Sequence, residues 1–81
     1  MKQLIYLSAA WCQPCKAFSP IMDQVAQKVP VRKVNVDYEP DVTTKYNVTS
    51  IPTVILVENG QESRRFTGVK SYNDVLNFIN Q

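Results

Sequence analysis

The amino-acid sequence predicts an α/β fold, a four-stranded mixed β-sheet flanked by helices in the order β-α-β-α-β-β-α. Three observations carry this expectation. The first run, Lys2 to Ser8, is apolar on both faces; segments of helical spacing alternate with strand-like segments along the chain; and Asn59-Gly60 joins the last two strand-like runs. A helix between two strands of one sheet implies a parallel, right-handed crossover, and Asn-Gly between two such runs implies a hairpin. With 81 residues and no internal repeat or linker, the elements are expected to build one domain spanning 1–81.

In the first strand Ile5 and Leu7 share one face and Leu4 and Tyr6 the other, the pattern of a central strand buried on both sides. From Trp11 to Val29 the positions Phe18, Ile21, Val25 and Val29, with Met22 and Ala26 beside them, predict a long helix with one buried stripe. Pro20 lies inside it, where it removes a backbone donor and clashes one turn back, so a kink is expected there. Pro30 ends the helix, and Val31 to Asp37 alternates as a second strand, less buried than the first. Pro40 opens a short polar helix, Asp41 to Tyr46, with Asn47 as its left-handed stop. Thr53 to Glu58 is a β-branched run, and Gln61 to Thr67 completes the hairpin. Ser71 caps the last helix, with Asp74 three residues on and Tyr72, Val75, Leu76 and Ile79 on one face.

Composition removes several chemistries. An apolar content of 44% and a charged content of 20% argue against intrinsic disorder. The absence of His excludes Ser-His-Asp and Cys-His catalysis, His-ligated haem and His₂Cys₂ zinc. Nine Lys and Arg are scattered among seven Asp and Glu with no basic run longer than two, so no nucleic-acid partner is expected. The N-terminal Met1 to Leu7 has a positive charge and a short apolar run but no long apolar core or small-residue cleavage site, and polar residues interrupt every later apolar run. The expectation is a soluble, cytoplasmic monomer with no membrane partner. In a reducing compartment two Cys are seldom a permanent staple.

Ligands of open α/β sheets collect at the carboxyl ends of parallel strands, and the first strand ends just before Trp11-Cys12-Gln13-Pro14-Cys15-Lys16. One helical turn separates Cys12 from Cys15, so both sulfurs project to the same side within reach of a disulfide. Unpaired N–H groups and the positive end of the helix dipole favour thiolate there. Cys12, nearer the end, is expected to be the nucleophile and Cys15 the resolving sulfur. Pro14 fits the first turn, where its missing donor costs nothing. Half a zinc site is the first alternative, but no third or fourth soft ligand exists within the chain, which leaves only a site shared between two copies. Haem attachment requires His after the second Cys, and position 16 is Lys. A structural disulfide across so short a loop removes little chain entropy. Redox chemistry is the remaining reading.

The stretch Ala10-Trp11-Cys12-Gln13-Pro14-Cys15-Lys16 closely resembles the active-site motif of the thioredoxin family, with Gln13 where the family usually has Gly. Pro20 matches the family's kinking proline, and Ser50-Ile51-Pro52-Thr53 is similar to its cis-proline loop. Asn59-Gly60 and Thr67-Gly68-Val69 resemble its hairpin turn and glycine loop. The resemblance covers nearly the whole chain and implies a thioredoxin-like fold, with a cis bond before Pro52. It also implies that Ile51 offers its backbone to an extended substrate segment as a short strand addition. Trp11, Ile51, Pro52, Gly68 and Val69 would then form an apolar rim for a client protein, with Gly68 letting the partner's backbone come close.

Two departures from the family pattern stand out. Thioredoxins typically carry a strand and helix before the strand leading to the active site, so this chain reads as a minimal, glutaredoxin-sized version. The family's buried Asp on that strand, thought to help deprotonate the resolving Cys, aligns with Tyr6, and a neutral phenol is no carboxylate base. Lys33 matches the Lys that neighbours that Asp and, lacking this partner, is expected to turn toward solvent. Tyr6, Pro14 and Lys33 are thus candidate tuning residues, and Tyr6→Asp should speed release of a trapped mixed disulfide. The expected activity is thiol-disulfide exchange that reduces protein disulfides, with no bound cofactor and no metal. By resemblance the electrons come from an NADPH-linked thioredoxin reductase, and ribonucleotide reductase is among the implied clients. A glutaredoxin-like enzyme using glutathione is the alternative, with Lys16 or Arg64-Arg65 as carboxylate-binding cations. A non-catalytic binding module on the same fold is the other.

Overall fold

The computed structural model describes residues 1–81. Strands β1 (Lys2–Ser8), β2 (Val31–Asn35), β3 (Thr53–Glu58) and β4 (Gln61–Thr67) form one sheet in the order β2-β1-β3-β4. Helices α1 (Gln13–Val25), α2 (Pro40–Lys45) and α3 (Tyr72–Ile79) complete the predicted β-α-β-α-β-β-α order. β1 runs parallel to β2 and antiparallel to β3, and β3 pairs antiparallel with β4. The mixed sheet follows from its connections: a helical crossover returns the chain parallel, and the two-residue turn returns it antiparallel. Asn59 and Gly60 both have positive φ, 55° and 85°, the conformation that such a hairpin requires.

β1 is central, as its two apolar faces require. Leu4 and Tyr6 pack with Phe18, Met22 and Val25 of α1, Val54 and Leu56 of β3, and Val75, Phe78 and Ile79 of α3. Ile5 and Leu7 pack on the opposite face with Val34, Ile55, Val57 and Val42 of α2. A chain of edge-to-face aromatics, Tyr6 to Phe18 to Phe66 to Phe78, has centroids 5.6, 6.2 and 4.8 Å apart. Such contacts contribute about 0.5–1.5 kcal/mol each beyond burial and set α1 and α3 on the sheet.

Three elements differ in their bounds from the sequence reading, each for a local reason. The first helix begins at Gln13 rather than Trp11, because Cys12 is its extended N-cap. It ends at Val25 rather than Val29: Gln27 and Lys28 donate to the carbonyls of Gln24 and Val25, an i to i−3 tightening of the last turn. The second strand stops at Asn35 rather than Asp37 because the Asn35 side chain accepts the Asp37 N–H at 2.9 Å, an Asx turn. The short helix spans Pro40–Lys45 instead of Asp41–Tyr46, with Pro40 in its first turn and Asn47 left-handed at φ 54°. The last helix is capped as its sequence indicates, Ser71 Oγ accepting from the Asp74 N–H at 3.2 Å.

Candidate active site

The carboxyl end of β1 delivers Ser8 and Ala9 to a tight turn in which Cys12 N–H donates to the Ala9 carbonyl at 3.2 Å. Cys12 then caps α1, with Pro14 in its first turn. Cys12 and Cys15 are joined by a disulfide, their Cα atoms 5.3 Å apart, inside the range that a disulfide bond spans. Both cysteines are buried, at 5% and 3% exposure. The Cys15 backbone N–H donates to Cys12 Sγ at 3.3 Å. A helix N-terminus therefore aims a free donor at the first sulfur, where anionic character is best stabilised.

The second wall comes from a distant part of the chain. The Ile51–Pro52 peptide is cis, as the resemblance implied. Ile51 packs against Ala9, Cys12 and Cys15. Pro52 is buried, and its carbonyl accepts the Gly68 N–H at 2.9 Å. Gly68 has φ 88°, the left-handed region that favours glycine. Four residues of the expected rim are thereby placed. Ile51 meets the cysteines, Pro52 holds Gly68, and Val69 follows Gly68 at 47% exposure.

Trp11 is 66% exposed beside the cysteines, and its indole Nε1 donates to Asp37 Oδ2 at 2.9 Å. Asp37 belongs to the site and was missed in the sequence; its place just past a parallel strand was the available signal. Between Trp11 and Ile51 runs an open groove of about 490 Å³, with Val36, Thr43 and Val48 along its floor and sides. It lies at the carboxyl end of the parallel pair, where the sheet topology placed the chemistry.

Tyr6 lies beneath the second cysteine. It is 1% exposed, and its hydroxyl donates to the Cys15 carbonyl at 3.2 Å. Burial raises its phenol above the ordinary value of 10.0; the Ser8 hydroxyl opposes the shift and the Asp23 charge adds to it. Strand register sets Lys33 beside Tyr6. Lys33 is half exposed, as expected, yet it is not without a partner: its ammonium pairs with the Asp23 carboxylate on α1. Arg64 and Arg65 are committed elsewhere. Arg64 donates to the Phe78, Ile79 and Gln81 carbonyls at 2.8–3.2 Å, and Arg65 engages Glu62 and the Tyr46 carbonyl at 2.6 Å.

Comparison with known proteins agrees with this geometry. The thioredoxin family model matches residues 1–81. A thioredoxin of Rickettsia felis is 37% identical over 96% of this chain and 78% of its own length. One from Chlamydia caviae is 38% identical over 96% and 79%. Among solved structures, a Fasciola hepatica thioredoxin superposes with a TM-score of 0.90 at 29% identity, covering 98% of this chain and 78% of that one. A thioredoxin variant from Halobacterium salinarum gives 0.92 at 25% identity, with 98% and 72% covered. The fold, the disulfide at the mouth of α1 and these matches place the chain in the thioredoxin family of disulfide oxidoreductases, with Cys12 and Cys15 as its redox-active pair.

Proposed function

We propose that this chain acts as one domain that reduces protein disulfides, with Cys12 as nucleophile and Cys15 as resolving sulfur. The Cys12 thiolate attacks one sulfur of the client disulfide; a mixed disulfide forms and the other client sulfur leaves as thiolate. Cys15 then attacks Cys12, the client's remaining sulfur departs, and the Cys12–Cys15 bond closes. The observation that carries the assignment is the Cys15 N–H aimed at Cys12 Sγ from the N-terminus of α1, which stabilises negative charge on the first sulfur rather than the second.

Trp11, Ile51, Pro52, Gly68 and Val69 serve as the client-binding rim, and Pro14 shapes the turn between the sulfurs. The cis-proline loop against the cysteines and the groove beside Trp11 support that reading. An extended client segment laid along the Ile51 backbone brings its disulfide over Cys12. Family membership supports a thioredoxin reductase fed by NADPH as electron donor, disulfide-bearing proteins as clients, and action as a cytoplasmic monomer. No helix is long and apolar enough to cross a membrane. The engagement of Arg64 and Arg65 with carbonyls and Glu62 removes two of the three cations on which a glutathione site would draw.

Turnover of a protein disulfide such as that of insulin, supplied in parallel with NADPH and thioredoxin reductase or with glutathione and its reductase, tests the proposal. Faster turnover with thioredoxin reductase is expected, and loss of that turnover when both Cys are replaced by Ser. Preference for glutathione, or full function without the cysteines, would overturn it.

A further inference from the structure

Behind Cys15 lies a recess of about 230 Å³ lined by Tyr6, Ser8, Ser19 and Asn35, with Cys15 and Lys16 at its helix side. Water occupies about 30 Å³ per molecule in the liquid and needs two to four polar partners, so this volume and this lining suit several waters. No carboxylate lines it. The carboxylate that acts on Tyr6 is Asp23 of α1, which is mostly exposed and held by Lys33 of β2. Lys16 is the charged group at the recess itself, and Asp37 is occupied by the Trp11 indole.

We infer that this recess is the exit for the Cys15 proton in the second step, and that Tyr6 is the positioning residue that holds the Cys15 turn against it. The inference rests on Cys15 being the resolving sulfur. While Cys12 is tied to a client, the Cys15 thiol gives its proton to water in the recess. Its sulfur lone pair then forms the bond to Cys12 Sγ, and the client sulfur leaves with the electron pair of the broken bond. The Tyr6 hydroxyl donates to the Cys15 carbonyl and stays protonated, so it fixes geometry without acting as a base.

The test separates the two steps with dithiobis-nitrobenzoate, which releases one coloured thiolate when Cys12 attacks and a second when Cys15 resolves. Tyr6→Phe keeps the ring on Phe18 and removes only the hydroxyl. It should slow the second release about three- to tenfold, the worth of one hydrogen bond, and leave the first within about twofold. Ser19→Val, which fills the recess from the helix side, should slow the second release as well. In the unaltered chain the second rate should climb with pH with no inflection in the carboxylate range, and Tyr6→Asp should introduce one above that range, because burial at this position raises a carboxyl. Equal slowing of both releases by Tyr6→Phe, an unaffected second release in Ser19→Val, or a carboxylate inflection in the unaltered chain would overturn the inference. Release of a single equivalent by the unaltered chain would instead overturn the resolving role of Cys15, and the inference with it.

Discussion

Tyr6 shows how one residue joins stability to chemistry. Its ring is part of the core between β1 and α1, and its hydroxyl is the only side-chain donor to the Cys15 carbonyl. Burial holds the phenol above its ordinary value, chiefly because the charged form loses water. The folded chain therefore keeps the proton at a pH where the unfolded chain has begun to lose it. This contribution is complete below the unfolded value of about 10 and disappears as pH rises through the folded one. Denaturant unfolding across alkaline pH should show stability falling above that point, with a shallower fall in Tyr6→Phe; identical alkaline limbs would contradict the burial account. The Cys12–Cys15 pair was legible because its chemistry lies in residue type and spacing, whereas the cis bond before Pro52 came only through the family resemblance. The partners of Trp11 and Tyr6 were not legible, since Asp37 is 26 positions away and the acceptor on Cys15 is a backbone atom.

Elements were legible where the code is local. Both strands of the hairpin have the predicted ends, because Asn59-Gly60 fixes them, and Ser71 marks the start of α3. The end of α1 was not, because the apolar period runs on to Val29 while the backbone tightens after Val25. The finish of α3 depends on two other elements. Its last turn has no basic residue, and its terminal carbonyls are met by Arg64 from β4 and Lys2 from β1, the latter at 3.1 Å from the Ile79 oxygen. Arg64 also lies over the Phe78 ring, 5.6 Å from its centroid. Arg64→Ala should destabilise the fold by about 1.5–3 kcal/mol, the range for hydrogen bonds to a charged group, measured by equilibrium denaturation. A change within about 0.5 kcal/mol, the range of an ordinary surface substitution, would show that the α3 terminus needs no such support.

At the scale of the molecule, the sheet brings three separate stretches to one end: the β1–α1 turn with the cysteines, the cis-proline loop before β3, and the glycine after β4. Their convergence follows from the strand order β2-β1-β3-β4, which sets β1 beside β3 and β3 beside β4. The alternation of elements made the parallel β1–β2 pair and the β3–β4 hairpin predictable but not the placing of β1 beside β3, and the family relation gives the convergence its chemistry. The central claim is that the Cys12–Cys15 pair donates electrons to client disulfides, which requires a dithiol more reducing than the glutathione-linked enzymes. Equilibration of the purified chain with a redox couple of known potential measures this directly. The account predicts a value of about −270 mV, as for thioredoxins, and a value of about −230 mV or above, in the range of glutaredoxins and disulfide oxidants, would contradict it.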